Sequence, residues 1–159
     1  MMSARLNLFG SEIAGKAMKG INTASMAVIN SGLLPKATID LVLLRASQIN
    51  GCGFCTDIHS KDLAHAGESA ARVNLVAAWR EATVFSEAER AALELAEQGT
   101  RIADGFGGVP QDVWANAAKH YDEEQLAALT CLIALINASN RLGVITAQPG
   151  GEYQPGQFG

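Results

Sequence analysis

The chain has 159 residues, a net charge of -4 and an apolar fraction of 48%, which together predict one globular domain. It contains no run of basic residues, so neither nucleic acid nor an anionic membrane is expected as a partner. The first residues lack the apolar core of a signal peptide, and the longest apolar stretch, 126–136, is too short to span a bilayer. We therefore expect a cytoplasmic protein, in which structural disulfides are rare.

Helical patterns follow one another along the first half of the chain. Residues 11–32 carry one apolar face at helical spacing, formed by Ile13, Ala17, Ile21, Ala24 and Val28. Residues 36–50 are apolar nearly all round, which predicts a central, buried helix. Residues 52–66 predict a third helix that Gly67 ends, and a short helix follows over 71–79.

The second half is predicted to be helical as well. Ser86 and Glu89 form a capping box that opens a helix, and Pro110 suits the first turn of another. Asp122 is predicted to cap a last long helix that ends near residue 147. This apolar helix suits either a core or a subunit interface, and Cys131 within it is expected to be buried.

The patterns predict an all-α fold of about six to seven helices, because no segment alternates with the period of a strand. The helices form a single domain over residues 1–147. The remaining residues, 148–159, contain six Gly or Pro. We expect this tail to be irregular, either frayed or draped on a partner.

The segment NGCGFCTDIHSKD, residues 50–62, gathers two of the three cysteines and one histidine. On a helix, Cys52, Cys55 and His59 fall within one narrow stripe, and the Cα atoms of the two cysteines lie about 5 Å apart. Their sulfurs can therefore join, and His59, four residues after Cys55, can reach its sulfur. The start of a helix also favours the thiolate form of Cys52.

Several interpretations compete for this segment. A zinc site would need a fourth ligand, and His65 and Asp57 have no suitable spacing. Covalent haem attachment would need His where Thr56 stands. A thioredoxin motif follows a strand, whereas the preceding segment is helical, and two inert buried cysteines are the structural alternative. The joint spacing favours a redox dithiol. Asp40 either complements a helix dipole or serves this site, and both hypotheses stay open.

The stretch LVLLRASQINGCGFCTDIHSKDLAHAG, with AAWREATVFSEAERAALELAE and LTCLIALINASNRLGV, resembles the alkylhydroperoxidase D-like proteins of the carboxymuconolactone decarboxylase superfamily. The resemblance covers residues 5–145. It implies an all-α fold that assembles as a homotrimer or homohexamer. It also implies reduction of hydroperoxides without metal, haem or another cofactor, and regeneration by an external dithiol such as a lipoyl group.

The resemblance also implies roles for four residues. Cys55 would be the peroxidatic thiol, Cys52 the resolving thiol, and His59 part of a proton relay that Asp40 completes directly or through water. The family has glutamate at the position of Asp40 and often histidine at that of Phe54. Two further hypotheses remain: a lactone decarboxylase, which does not depend on a cysteine pair, and a non-catalytic oligomeric module that senses redox state or binds a ligand.

Overall fold

The computed structural model describes residues 3–105 and 107–157, and within them the chain forms seven α-helices, one 3-10 segment and no strand. The prediction of an all-α fold is confirmed. The 3-10 segment, Val76–Glu81, directly follows the fourth helix and is itself kinked at Ala78. The helices are α1 (Glu12–Ile29), α2 (Lys36–Ile49), α3 (Gly53–His65), α4 (Ala70–Leu75), α5 (Glu87–Thr100), α6 (Gln111–Ala117) and α7 (Glu123–Ile145).

Helix α2 lies at the centre of the domain, as its sequence predicts. One side of the helix, including Ile39 and Val42, packs into a large core with α5, α6 and α7. The other side, Leu41 and Leu44, joins a second core with α3, the 3-10 segment and α5. A helix that is covered on two sides needs apolar residues on both of them, which explains why the apolar residues of α2 are not confined to one face.

The helix boundaries follow the capping signals. Ser86 and Glu89 form the predicted capping box before α5. Asp122 and Gln125 form a second box before α7. These paired hydrogen bonds satisfy backbone N–H groups that the helix itself leaves free.

The predicted face of α1 is only partly correct. The helix packs against α7, but none of its residues is buried, and Ile13 is 76% exposed. Ala17 and Ala24 are exposed too, whereas Ile21 and Val28 are partly buried. The contact with α7 uses a face rotated from the predicted one, and much of α1 is left uncovered.

Cys131 lies on the surface, so the prediction that it is buried is wrong. The buried residues of α7 include Leu129, Leu132 and Ile136, which share the side that faces the core. Cys131 points the other way, together with the exposed Ala127 and Ala134. Helix α7 is long and apolar enough to cross a membrane, but its inner side packs into the helical domain, as in any core helix of a soluble domain.

Arg45, within the stretch LVLLRASQ of α2, joins this helix to α5 and the 3-10 segment. Arg45 donates to Glu97 at 2.7 Å, and both side chains are largely buried. The indole Nε1 of Trp79 donates to the same carboxylate at 3.1 Å. Burial opposes the charge of Glu97, but these donors outweigh it and lower its pKa. The ion pair between Arg45 and Glu97 therefore fixes α2 against α5.

The tail folds back onto α3 of the same chain and contains no helix over residues 148–157. The carboxylate of Asp57 accepts from the backbone N–H groups of Gly151 at 2.7 Å and Tyr153 at 3.1 Å. Lys61 donates to the carbonyls of the same two residues, and the Tyr153 hydroxyl donates to Asp62 at 2.8 Å. Tyr153 is 5% exposed, so the tail covers one side of α3.

Candidate active site

The turn between α2 and α3 presents the cysteine pair. Gly51 has φ +65°, a conformation that glycine adopts without strain. The backbone N–H of Cys52 donates to the carbonyl of Ser47 at 3.0 Å, which closes the turn. Cys52 is the N-cap of α3, and its Sγ accepts from the backbone N–H of Cys55 at 3.3 Å. The first cysteine thus lies one residue before the helix rather than within its first turn.

Cys52 and Cys55 are joined by a disulfide, with their Cα atoms 5.3 Å apart. This agrees with the distance that helical spacing predicts. The two residues are 1% and 6% exposed. The site is therefore a buried disulfide at the start of a helix, with slightly better access to Cys55 than to Cys52.

His59 lies one helical turn after Cys55 on the same side of α3. Burial, and then the positive charge of Lys36, lower the pKa of His59 to about 4. The imidazole is consequently neutral at pH 7, and a neutral imidazole has one nitrogen that can accept a proton. This pKa applies to the disulfide form. A thiolate on Cys55 would raise it, because an opposite charge favours the imidazolium.

Asp40 pairs with Lys36, four residues before it on α2. The Lys36 Nζ donates to the Asp40 carboxylate at 2.8 Å, and the two side chains are 69% and 8% exposed. Burial raises the pKa of Asp40, and Lys36 offsets part of that rise. In the described ranges, 3–105 and 107–157, no direct hydrogen bond joins Asp40 to His59. The relay between them through water stays a prediction.

Asp40 does not act as a helix-terminal charge. Helix α2 begins at Lys36, so Asp40 lies in its second turn, and the first turn contains no acidic residue. The macrodipole weakens within one turn of the terminus. The dipole interpretation of Asp40 is therefore wrong. Lys36 was missed in the sequence, although its spacing of four from Asp40 is the usual signal for an ion pair on a helix.

A polar network holds the cysteine turn to α7. The Asn50 side chain donates to the side-chain Oδ1 atoms of Asn137 and Asn140, both at 2.9 Å. Asn140, which is fully buried, donates to the Ser47 hydroxyl at 3.1 Å. Asn137 donates to Thr100 on α5 at 3.0 Å. The role of these asparagines was not predicted from the sequence. Their place in otherwise apolar helices was a signal, because buried amide groups need hydrogen-bond partners.

Comparisons of this sequence with a family model and with known proteins agree with one another. The sequence model described as the carboxymuconolactone decarboxylase family matches residues 15–98. The uncharacterized protein YdfG of Bacillus subtilis is 36% identical over 143 residues, which is 90% of this chain and 94% of YdfG. Alkyl hydroperoxide reductase AhpD of Methylocella silvestris is 52% identical over 42 residues, or 26% of this chain and 24% of that protein.

Solved structures agree. The protein of unknown function ATU0492 from Agrobacterium tumefaciens superposes with a TM-score of 0.86 and 34% identity, over 95% of this chain and all of that one. An alkylhydroperoxidase AhpD core protein from Ralstonia eutropha, at 17% identity, has the same fold with a TM-score of 0.75, over 87% of this chain and 72% of that one. The chain therefore belongs to the carboxymuconolactone decarboxylase family and has the AhpD-like fold.

Proposed function

We propose that this chain is a thiol-dependent peroxidase that reduces hydroperoxides through the Cys52–Cys55 pair. The observation that carries the proposal is the disulfide at the start of α3 with a neutral histidine one turn away. A reducible pair next to a proton acceptor is what peroxide reduction by thiols requires. The AhpD name and the peroxidase-related descriptions among similar proteins support the same chemistry.

The first step is attack on the peroxide. His59 accepts the proton of the Cys55 thiol, and the resulting thiolate attacks the terminal oxygen of ROOH. The O–O bond breaks, Cys55 becomes a sulfenic acid, and the alkoxide takes the proton from His59 and leaves as ROH. Asp40 assists by favouring the imidazolium that forms for a moment on His59.

The second step restores the thiols. The Cys52 thiol displaces water from the sulfenic acid, which forms the Cys52–Cys55 disulfide. An external dithiol, which we propose to be of the lipoyl type, then exchanges with this disulfide and becomes oxidised itself. In sum, one ROOH and one dithiol give one ROH, one water and one external disulfide. This cycle suits a reducing compartment such as the cytoplasm.

A count of free thiols tests the proposal. The reduced chain has three thiols, because its sequence contains three cysteines. One equivalent of hydroperoxide should leave one thiol, that of Cys131, and dihydrolipoamide should restore all three while consuming further peroxide. Unchanged thiols after peroxide would contradict the proposal. Loss of two thiols without continued turnover would instead favour the redox-sensing module, and lactone decarboxylation would be detected by product analysis.

We also propose that the chain acts as a homotrimer or homohexamer. The outer side of α7 carries small apolar residues, among them Ala127 and Ala134, and α1 leaves Ile13 and Met26 exposed. Helices α1 and α7 pack against each other, so these exposed apolar residues lie on neighbouring elements that another protein surface could cover. A second copy of the chain would cover them and would also bury Cys131.

Cys131 reports on this assembly. We expect slow alkylation of its thiol in the native protein and light scattering at the mass of three or six chains. Ala134→Glu should speed the alkylation at least about tenfold and lower the mass, because a buried charge disrupts an apolar interface. Ala103→Glu, at an exposed alanine in the loop after α5, serves as the control. Rapid alkylation in a monomeric parent protein would contradict the assembly.

A further inference from the structure

Helix α7 passes directly over the disulfide at Gly143. This glycine is buried, and a Cβ atom added to it would lie 2.8 Å from the Sγ of Cys52 and 3.7 Å from that of Cys55. The shorter distance is below any that a real Cβ atom keeps from a neighbouring heavy atom. Any side chain at this position would therefore displace the sulfur of Cys52 or the helix itself.

The backbone conformation gives no other reason for a glycine here. Gly143 lies within α7 and is not among the described glycines that have a positive φ. Glycine weakens the interior of a helix relative to alanine, so this position lowers the stability of α7. The close approach to the sulfur is the feature that requires it.

The same part of α7 also holds the turn between α2 and α3 in place through hydrogen bonds. Asn140, about one helical turn before Gly143, binds the side chains of Ser47 and Asn50. The carbonyl of Ser47 in turn accepts from the backbone N–H of Cys52. The backbone of Cys52 is thus tied to α7 through Ser47, while its sulfur lies against the bare backbone of Gly143.

We propose that Gly143 is a positioning residue that sets the redox equilibrium of the cysteine pair. The inference rests on the proposed function, because it concerns the disulfide that the peroxidase cycle forms and reduces. The missing side chain gives the sulfur of Cys52 the space that it occupies in the disulfide. In the dithiol form the sulfur of Cys52 can rotate away from α7, since no bond holds it to Cys55. A methyl group at position 143 therefore destabilises the disulfide more than the dithiol.

The test is the redox equilibrium of Gly143→Ala. Parent and variant are equilibrated with mixtures of reduced and oxidised dithiothreitol, and the fraction of disulfide is measured by thiol trapping and mass spectrometry. We expect the equilibrium constant for disulfide formation to fall about tenfold, equivalent to about 30 mV for this two-electron couple. Gly20→Ala in α1 is the matched control, because nothing lies within 4 Å of a Cβ at that position. An equilibrium constant for Gly143→Ala within twofold of the parent would overturn the inference.

A second background keeps the test decisive if Gly143→Ala folds poorly. In Cys52→Ala the nearest sulfur is gone, and the distance to the Sγ of Cys55 is an ordinary contact. Gly143→Ala should then raise the melting temperature by about 2 to 4 °C, the gain in helix propensity that we also expect for Gly20→Ala. Equal destabilisation in both backgrounds would show that the methyl group clashes with something other than Cys52, and would overturn the inference.

This experiment separates the inference from the proposed function, because the equilibrium needs no peroxide. A shifted equilibrium in a protein that consumes no peroxide would support the role of Gly143 and reject the peroxidase. Peroxide turnover with an unshifted equilibrium would support the peroxidase and reject the role of Gly143.

Discussion

Replacing Cys55 with serine should lower the rate of hydroperoxide reduction by on the order of a thousandfold or more, because the attacking sulfur is lost. Cys52→Ser should behave differently. It retains the attacking sulfur and reduces one equivalent of peroxide, but it has no thiol to resolve the sulfenic acid. The oxidised Cys55 should accumulate, react with a sulfenic-acid probe and proceed to the sulfinic form under excess peroxide. Stopped-flow measurement of peroxide consumption and mass spectrometry of the probe adduct follow both variants.

Cys131→Ser is the control for this pair of variants. Cys131 lies on the outer side of α7, away from the disulfide, so its loss should leave peroxide turnover unchanged. A peptide map that places Cys131 in the oxidised bridge would contradict the assignment of Cys52 as the resolving thiol. Equal single-turnover rates in Cys55→Ser and Cys52→Ser would contradict the role of Cys55.

Asp40→Asn should lower activity and raise stability at the same time. The ionised carboxylate favours the imidazolium that forms on His59, so its loss should slow peroxide reduction roughly ten- to a hundredfold. Burial raises the pKa of Asp40 in the folded chain above its ordinary value of 3.8. A raised pKa means that the folded state holds the proton more tightly than the unfolded state, so ionisation at neutral pH destabilises the fold. Thermal unfolding should therefore show a higher melting temperature for Asp40→Asn at pH 7.

The pH dependence of the stability tests whether ionised Asp40 destabilises the fold. The stability difference between the two proteins should shrink as the pH falls through the raised pKa of Asp40, and its pH-dependent part should be lost well below 3.8, where both states are protonated. Asp40→Asn should also shift the alkylation profile of Cys55 to higher pH, because it removes a charge that favours the imidazolium on His59. Superimposable profiles would remove Asp40 from the mechanism.

The sequence predicted the helices well where the signal is local. Capping boxes and breaking residues are contacts within one turn, so they locate the ends of α5 and α7 without knowledge of the fold. The face of α1 was predicted less well, and Cys131 was placed on the wrong side of α7. In both helices apolar residues occur on more than one side. Which side is covered depends on a neighbouring helix that the pattern does not specify.

The same limit applies to the site. Cys52 and Cys55 lie within one short segment, so local spacing predicted the distance between their Cα atoms. The partner of Asp40 is also local, and the spacing from Lys36 could have predicted it. The anchoring of the turn by Asn140 joins residues 93 apart in the sequence. The pattern of residues within one segment cannot predict a contact with a segment so distant in the sequence.

The cover over α3 has a consequence for newly synthesised chains. The contact between Asp57 and Gly151 spans 94 residues, and ribosomes add roughly 5–20 residues per second. The cysteine helix therefore leaves the ribosome about 5 to 20 s before the segments that enclose it, including the Gly143 region of α7. During that interval both thiols are open to small-molecule thiols and oxidants, whose exchange reactions take seconds to hours. The redox conditions of the producing cell thus act on the cysteine pair before the fold encloses it.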